Sequence, residues 1–244
     1  MKVFIVAEIG SNWEGDIKKA EKIIKECKKA GADAVKFQMW RANDLYKKGH
    51  SNWNEIKKAE LTFEKTSKIK KIADKNNIEF FCSVFYPEGI DFLEKIGVKK
   101  YKIASRTCLE KDPFSTETLK RKSLTKKKIF ISMGMGGNEK RIKNIFKNNN
   151  FEFCYCISEY PLEFKKIRWD KIIKFNGFSD HTEDIIAPIV YTVLKNQQHS
   201  KSIYIEKHVK LKTSKGPDAS TSIDTEKLAE MIARIRIIEK AKLN

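Results

Sequence analysis

Residues 3–37 read VFIVAEIGSNWEGDIKKAEKIIKECKKAGADAVKF, and this stretch decides the fold. Residues 3–7 form an unbroken apolar run, the pattern of a strand buried on both faces. Asp16 is placed to cap a helix. Ala20, Ile23, Ile24 and Cys27 follow at i, i+3, i+4 and i+7, so one helical face is apolar, and Gly31 ends it. Residues 34–37 then return to an apolar run. Strand, amphipathic helix and strand within 35 residues is the unit of a parallel sheet.

The unit repeats to the end of the chain. Helices are predicted over residues 56–76, 87–96, 114–124, 139–147, 165–173, 185–195 and 225–242, with strands over 78–85, 101–105, 129–133, 151–157, 175–178 and 202–205. About eight strand–helix units in one chain of this length match an α/β fold of the (β/α)8 TIM barrel type. No Gly-x-Gly-x-x-Gly follows the first strand, which argues against a dinucleotide-binding open sheet. No linker-like stretch or shift of composition divides residues 1–244, which read as one domain.

Composition bounds the class. The chain has 244 residues, is 41% hydrophobic and carries no apolar run of the ~20 residues that span a bilayer, so a soluble, cytoplasmic protein is expected. Five cysteines without regular spacing suit reduced thiols rather than a disulfide framework. Cys82, Tyr155 and Cys156 read as core. The formal charge of +18 is spread along the chain, and its densest run, residues 120–128, has no aromatic residues to stack bases. Charge alone does not make a nucleic-acid binder, and no such motif is present.

In a barrel, the side chains at the carboxyl ends of the strands meet on one face, where the chemistry is done. Here those positions are polar in nearly every unit: Glu8, Lys36 and Gln38, Ser83, Lys102 and Ser105, Ser132, Tyr160, Ser179 to Thr182, and Glu206 to His208. A lysine inside an apolar run, such as Lys36, is unfavourable unless it meets an anion. Two such lysines with several serines describe a pocket for phosphate or carboxylate. His181 and His208 end neighbouring strands and could share a divalent metal, with Glu8 or water completing the shell. Singly, each of these residues also has a structural explanation: snorkelling lysines, turn-forming serines, a helix-capping or core histidine. Their concentration at one end of the strands does not. His50 and His199 fall in polar loops and read as incidental. Residues 39–54, with Trp40, Tyr46 and Trp53, read either as a lid over the site or as a surface loop packed on the rim.

The stretches Ala7-Glu8-Ile9-Gly10-Ser11-Asn12, Ala34-Val35-Lys36-Phe37-Gln38, Tyr101-Lys102-Ile103-Ala104-Ser105, Phe178-Ser179-Asp180-His181-Thr182, Glu206-Lys207-His208 and Gly216-Pro217-Asp218 resemble the sialic acid synthase family, which makes N-acetylneuraminate, legionaminate and pseudaminate. The resemblance runs in order over essentially the whole chain. It implies a TIM barrel that condenses phosphoenolpyruvate with an open-chain N-acetylated amino sugar, releasing phosphate and forming a nonulosonic acid for a cell-surface glycan. It also implies a divalent metal, typically Mn²⁺, with Mg²⁺ or Co²⁺ as substitutes. By the same resemblance, Lys36, Ser83, Lys102, Ser105, Ser132 and Ser179 would hold phosphoenolpyruvate, His181 and His208 the metal, and Gln38, Tyr160 and Asp218 the sugar. Glu8 would serve as acid and base beside Lys36 and Lys102.

Three departures from the family pattern stand out. Trp13 occupies the place of a histidine, and Arg106-Thr107 the place of a small residue and a carboxylate. Both are expected on the sugar side. Full-length members also carry a C-terminal antifreeze-like domain that reaches across a homodimer, whereas this sequence stops at Asn244 after the eighth helix. A separate domain protein, a different acceptor or weaker catalysis would each accommodate that. The alternative outside enzymology is a non-catalytic barrel that binds a sugar acid or a partner, against which the retained Glu8, Lys36, Lys102, His181 and His208 argue.

Overall fold

The computed structural model describes residues 1–241. Its first unit is β1 (Lys2–Glu8), α1 (Ile17–Ala30) and β2 (Ala34–Met39). Asp16 accepts from the amides of Lys18 and Lys19 at the start of α1, and Gly31 closes it in the left-handed conformation at φ 93. An L side chain is strained at that φ, so glycine is the natural stop. The strands β3 (Glu79–Val84), β4 (Lys100–Ile103), β5 (Lys128–Ser132), β6 (Phe151–Cys156), β7 (Gly177–Asp180) and β8 (Ser202–Lys210) follow in order around the sheet. Every neighbouring pair is parallel, and β8 pairs back onto β1 from Lys2↔Ser202 to Glu8↔His208, closing the eight-stranded barrel expected from the sequence. A two-residue strand, β9 (Ile223–Asp224), adds to the end of β8.

Between the strands run α2 (Ala42–Leu45), α3 (Trp53–Lys58), α4 (Phe63–Lys75), α5 (Pro87–Lys95), α6 (Ser115–Ser123), α7 (Glu139–Ile145), α8 (Trp169–Ile172), α9 (Ile186–Gln197) and α10 (Thr225–Lys240). The helix expected over residues 56–76 is two helices. The chain stops after Lys58, buries Leu61, and starts again where Thr62 accepts the Lys65 amide. A fresh N-cap competes with continuation of the helix, and burial of Leu61 at the break favours it. The helix expected over residues 165–173 is a short 3₁₀ turn followed by α8, and the strand expected over 175–178 is displaced to 177–180. Lys242, expected in the last helix, lies outside the described residues.

The barrel has two apolar layers. The larger lies between strands and helices, where Ile5, Val35, Phe80, Ile103, Ile129 and Ile205 meet the apolar faces of α1, α4, α5 and α10. The smaller lies inside the barrel: Val6, Ala34, Phe81, Phe130, Cys154 and Tyr204, with the Phe130 and Tyr204 rings stacked at 3.9 Å. Alternation with a period of two puts the next inward residue on each strand one layer higher. Val6 leads to Glu8, Ala34 to Lys36, Phe81 to Ser83, Phe130 to Ser132, Cys154 to Cys156 and Tyr204 to Glu206. The apolar plug thus forms the floor, and polar side chains stand on it.

Candidate active site

Above that plug is a cavity of about 510 Å³ at the carboxyl ends of the strands. All twelve residues given a catalytic, binding or metal role from the sequence line it: Glu8, Lys36, Gln38, Ser83, Lys102, Ser105, Ser132, Tyr160, Ser179, His181, His208 and Asp218; Asp180, Thr182 and Lys207, also polar at strand ends, do not.

The floor is an ionic network rather than a set of free cations. Lys36 Nζ lies 2.6 Å from Glu8 Oε2 and 3.7 Å from Glu206, and it donates to Ser83 Oγ at 3.2 Å. Lys102 Nζ lies 3.5 Å from Glu206 and donates to Ser132 Oγ at 2.7 Å. Glu206 thus sits between the two lysines. It accepts from Ser179 Oγ at 2.8 Å and from the Tyr204 hydroxyl at 2.5 Å. Every one of these groups is buried. Opposite charges and hydroxyls close together are what make such burial tolerable.

Glu206 is among the polar strand ends of the sequence but has no role assigned there; the structure puts it at the centre of this network, on the strand face along which Tyr204, Glu206 and His208 alternate. The lysines' anion is also internal: the buried charge of Lys36 is balanced by Glu8 and Glu206 before any ligand arrives. Burial raises the Glu206 carboxyl, but Lys102 and Lys36 outweigh it and hold the group well below the usual carboxylate range. Burial likewise raises Glu8, and there it wins. Against the opposing pull of Lys36, and with Glu206 adding repulsion, its pKa moves from 4.5 to about 7. One carboxylate held ionised beside another poised near neutrality is the arrangement of an acid–base pair. For Lys102, burial works against the charge, yet Glu206 more than compensates and its pKa is raised.

The sugar-side expectations divide. Gln38 donates from Nε2 to Glu8 Oε1 at 2.6 Å. Asp218 accepts from Ser11 N and Ser11 Oγ, each at 2.7 Å, and lies against Gly10 at φ 51 where a Cβ would collide with the carboxylate. Tyr160 stays half exposed over the ring of His181, with centroids 4.3 Å apart. Arg106 also lines the cavity. Trp13 does not: its indole is fully buried and edge-on to Phe37, between strand and helix, so this departure has no contact with the cavity. Thr107 is likewise buried and absent from the lining.

Two other readings are corrected. Cys156 lines the cavity instead of the core, because Cys154 takes the inward layer below it. Burial would raise its thiol, but neighbouring His181 lowers it to about 7. His50, expected to be incidental, is at the rim with Tyr46 and Asn52. Both readings of residues 39–54 hold in part. Trp40, Leu45 and Tyr46 wall the cavity, while Trp40, Ala42, Leu45, Ile56, Ala59 and Phe85 pack into a small core of their own.

The two imidazoles expected to hold a divalent cation lie side by side on the cavity wall. Their ring centroids are 5.3 Å apart. His181 Nδ1 is 2.7 Å from the Ile157 carbonyl oxygen, so Nδ1 carries the hydrogen. Burial lowers the pKa of this ring, but the Cys156 thiol beside it, within hydrogen-bond reach, outweighs burial and raises it. His208 Nδ1 is buried without a hydrogen-bond partner, and burial above all depresses its pKa to about 3, keeping the ring neutral. A neutral imidazole with an unsatisfied nitrogen is a ligand in waiting. The expected completion by Glu8 is not assembled, since Lys36 and Gln38 flank both its oxygens. Among the described residues no three His, Cys, Asp or Glu side chains form a metal-binding group. Behind the two histidines, Lys207 Nζ is 2.6 Å from Asp180 Oδ2 and also donates to the Thr182 carbonyl, with both charged side chains fully buried. That pair ties the end of β7 to β8 and fixes the backbone on which both histidines stand.

The chain as a whole is similar to known proteins. The pattern of the NeuB family matches residues 23–244. The chain is 30% identical to the N,N'-diacetyllegionaminic acid synthase of Campylobacter jejuni, covering 98% of this chain and 77% of that protein. It is 32% identical to the pseudaminic acid synthase of the same species, covering 98% of this chain and 75% of that protein. Among solved structures, the N-acetylneuraminic acid (sialic acid) synthetase of Leptospira borgpetersenii, in complex with citrate, superposes with a TM-score of 0.86 at 26% identity, covering 98% of this chain and 85% of that one. Sequence and three-dimensional structure agree over nearly the full length, and the chain belongs to the NeuB family.

Proposed function

We propose that this protein condenses phosphoenolpyruvate with the aldehyde of an open-chain N-acetylated amino sugar, giving a nonulosonic acid and phosphate. The observation that carries the reading is the floor of the cavity: two buried lysines, each held between a carboxylate and a serine hydroxyl, beside a glutamate with a pKa of about 7. The relatives are named as synthases of three such acids, which supports the reaction class.

In this reading Lys36 and Lys102, with Ser83, Ser105, Ser132 and Ser179, hold the carboxylate and phosphate of phosphoenolpyruvate. Fixed charges aimed at an anion need no reorganisation as the reaction proceeds. C3 of the enol attacks the aldehyde carbon, the aldehyde oxygen takes up a proton, and C2 becomes an oxocarbenium. Water adds to C2 and gives up a proton, after which the C2–O bond to phosphate breaks, the proton of the remaining C2 hydroxyl leaves with the phosphate, and a ketone remains. Glu8, close to half protonated at neutral pH, is suited to exchange those protons. Glu206 stays ionised and stabilises positive charge developing at C2. A divalent ion bound by His181 and His208, with Mn²⁺ our choice, would supply Lewis acidity at the aldehyde oxygen. Gln38, Tyr160 and Asp218 orient the sugar hydroxyls.

No helix among the described residues is long and apolar enough to cross a membrane. We place the reaction in the cytoplasm, where phosphoenolpyruvate is made, and the active form as a dimer, which sedimentation would test. The deciding experiment is phosphate release from phosphoenolpyruvate with Mn²⁺ and a panel of N-acetylated hexoses. Sugar-dependent release is expected; none with any sugar, under conditions where a known synthase turns over, overturns the reading.

A further inference from the structure

Lys122 belongs to the densest basic run of the sequence, yet it is fully buried. Ser115, Thr118, Leu119 and Lys122 form the buried face of α6 at i, i+3, i+4 and i+7. A lysine thus stands where helical periodicity calls for an apolar side chain. Its Nζ donates to the Val84 carbonyl at 2.9 Å and to the Lys102 carbonyl at 3.1 Å. Among the described residues no carboxylate pairs with it. Burial above all brings its pKa from 10.5 to about 7; the Cys108 and Cys82 thiols oppose that shift, and the like charges of Lys36 and Lys102 add to it. A strut that merely seats α6 on the barrel could be apolar, as Leu119 beside it is, without the cost of burying an amine.

The two carbonyls belong to neighbouring strands at the shortest seam of the barrel. β3 and β4 share two register pairs, Cys82↔Tyr101 and Ser83↔Lys102, against three to seven at every other barrel seam. The last of these pairs is also where the two halves of the ionic floor meet. On one side Lys36 donates to Ser83, and on the other Lys102 donates to Ser132. Inside the barrel Glu206 spans the gap between the two lysines. From the helix side Lys122 spans it too, holding Lys102 within the last pair and Val84 just beyond it. Lys122 does not line the cavity, so its reach into the site is through these backbones.

We propose that Lys122 is a positioning residue for phosphoenolpyruvate: by tying the Val84 and Lys102 carbonyls together it fixes the spacing of Ser83 and Lys102, and with it the fit of the pocket to the anion. The inference rests on the condensation reading and adds to it a residue that touches neither substrate. In its protonated form Lys122 also places a positive charge behind the pocket wall, a contribution complete well below pH 7 and lost as the pH rises through it.

The test is calorimetric binding of phosphoenolpyruvate alone, together with steady-state kinetics, in Lys122→Met and Leu119→Ala. Methionine keeps the length and burial of the lysine stem but ends the clamp. Leu119→Ala loosens the same helix face without touching the clamp. Lys122→Met should weaken phosphoenolpyruvate binding and raise its KM on the order of tenfold, with the KM of the sugar within about twofold. Leu119→Ala should lower the unfolding midpoint and leave phosphoenolpyruvate affinity within about twofold. The ratio of affinities between the unmodified protein and Lys122→Met cancels the titrations of the ligand, Glu8 and Cys156. That ratio should be largest at about pH 6 and decline towards about pH 8. Lys122→Gln, which keeps a shorter donor, repeats the measurements should Lys122→Met not fold; failure of both to fold would assign Lys122 to the scaffold and overturn the proposal. So would unchanged phosphoenolpyruvate affinity in a folded variant, or a loss that Leu119→Ala matches, and either result leaves the condensation standing. Absence of phosphoenolpyruvate binding to the unmodified protein would instead overturn the condensation reading itself.

Discussion

Replacing Glu8 with Gln should make the protein more stable and almost inactive, with a pH signature that separates the two effects. The carboxyl is fully buried, and its pKa stands at about 7 in place of 4.5. At about 1.4 kcal/mol for each pH unit, the ionised form is disfavoured in the folded protein by about 3 kcal/mol relative to the unfolded chain. A carboxyl with its folded pKa above its unfolded value binds its proton more tightly when folded. Its contribution to stability is therefore complete below pH 4.5 and is lost as the pH rises to about 7. Glutamine imitates the protonated form at every pH and has nothing to lose.

Urea unfolding of the two proteins should thus give a free-energy difference near its minimum at pH 4.5. That difference should grow by about 3 kcal/mol towards pH 7.5 in favour of Glu8→Gln, and then level off. Lys36 keeps Glu206 at 3.7 Å and the Ser83 hydroxyl at 3.2 Å, so the variant does not strand that charge. Turnover should fall on the order of 10²- to 10⁴-fold with phosphoenolpyruvate still bound, and the inflection of the pH–rate profile near 7 should disappear. A stability difference that is flat across this range, or that shrinks as the pH rises, would show that burial does not dominate at Glu8 and would remove the basis for its acid–base role.

Three further outcomes follow from the same geometry. Lys102→Ala removes a cation beside Glu206 and the donor to Ser132, so phosphate release should drop on the order of 100-fold or more; His208→Ala should do the same, and near-normal rates in both would refute the site assignment. Lys207→Met leaves Asp180 buried without its counter-ion and should cost about 3–5 kcal/mol in urea unfolding, a loss that Lys207→Met combined with Asp180→Asn should partly restore. Treatment with a chelator should abolish turnover, and Mn²⁺ should restore it in the unmodified protein but not in His208→Ala; full activity after exhaustive chelation would exclude the metal role.

Much of the floor was legible because a strand side chain alternates strictly. Once residues 34–37 and 101–105 are strands of a closed barrel, Lys36 and Lys102 have nowhere to point but inward at the top layer. The same alternation puts Glu206 on the inner face with Tyr204 and His208, but its significance shows only when Lys36 and Lys102 are seen on either side of it. Trp13 was misplaced for the opposite reason. It lies in the turn after β1, where no periodicity fixes direction, and the indole turned away from the cavity into the apolar layer against Phe37. Arg106 and His50 are loop residues whose joint position depends on how residues 39–54 pack over β4.

The sequence by itself determined the barrel, the end at which its chemistry sits and the residue types gathered there, because each follows from local periodicity and chain order. Only the tertiary structure decided the electrostatic state of the site. That Lys36 is balanced internally, that Glu206 is ionised and that Glu8 hovers near pH 7 depends on distances of 2.6 to 3.7 Å across four strands and on exclusion of water above an aromatic plug. Such energies vary steeply with separation and burial, and neither quantity is written along the chain.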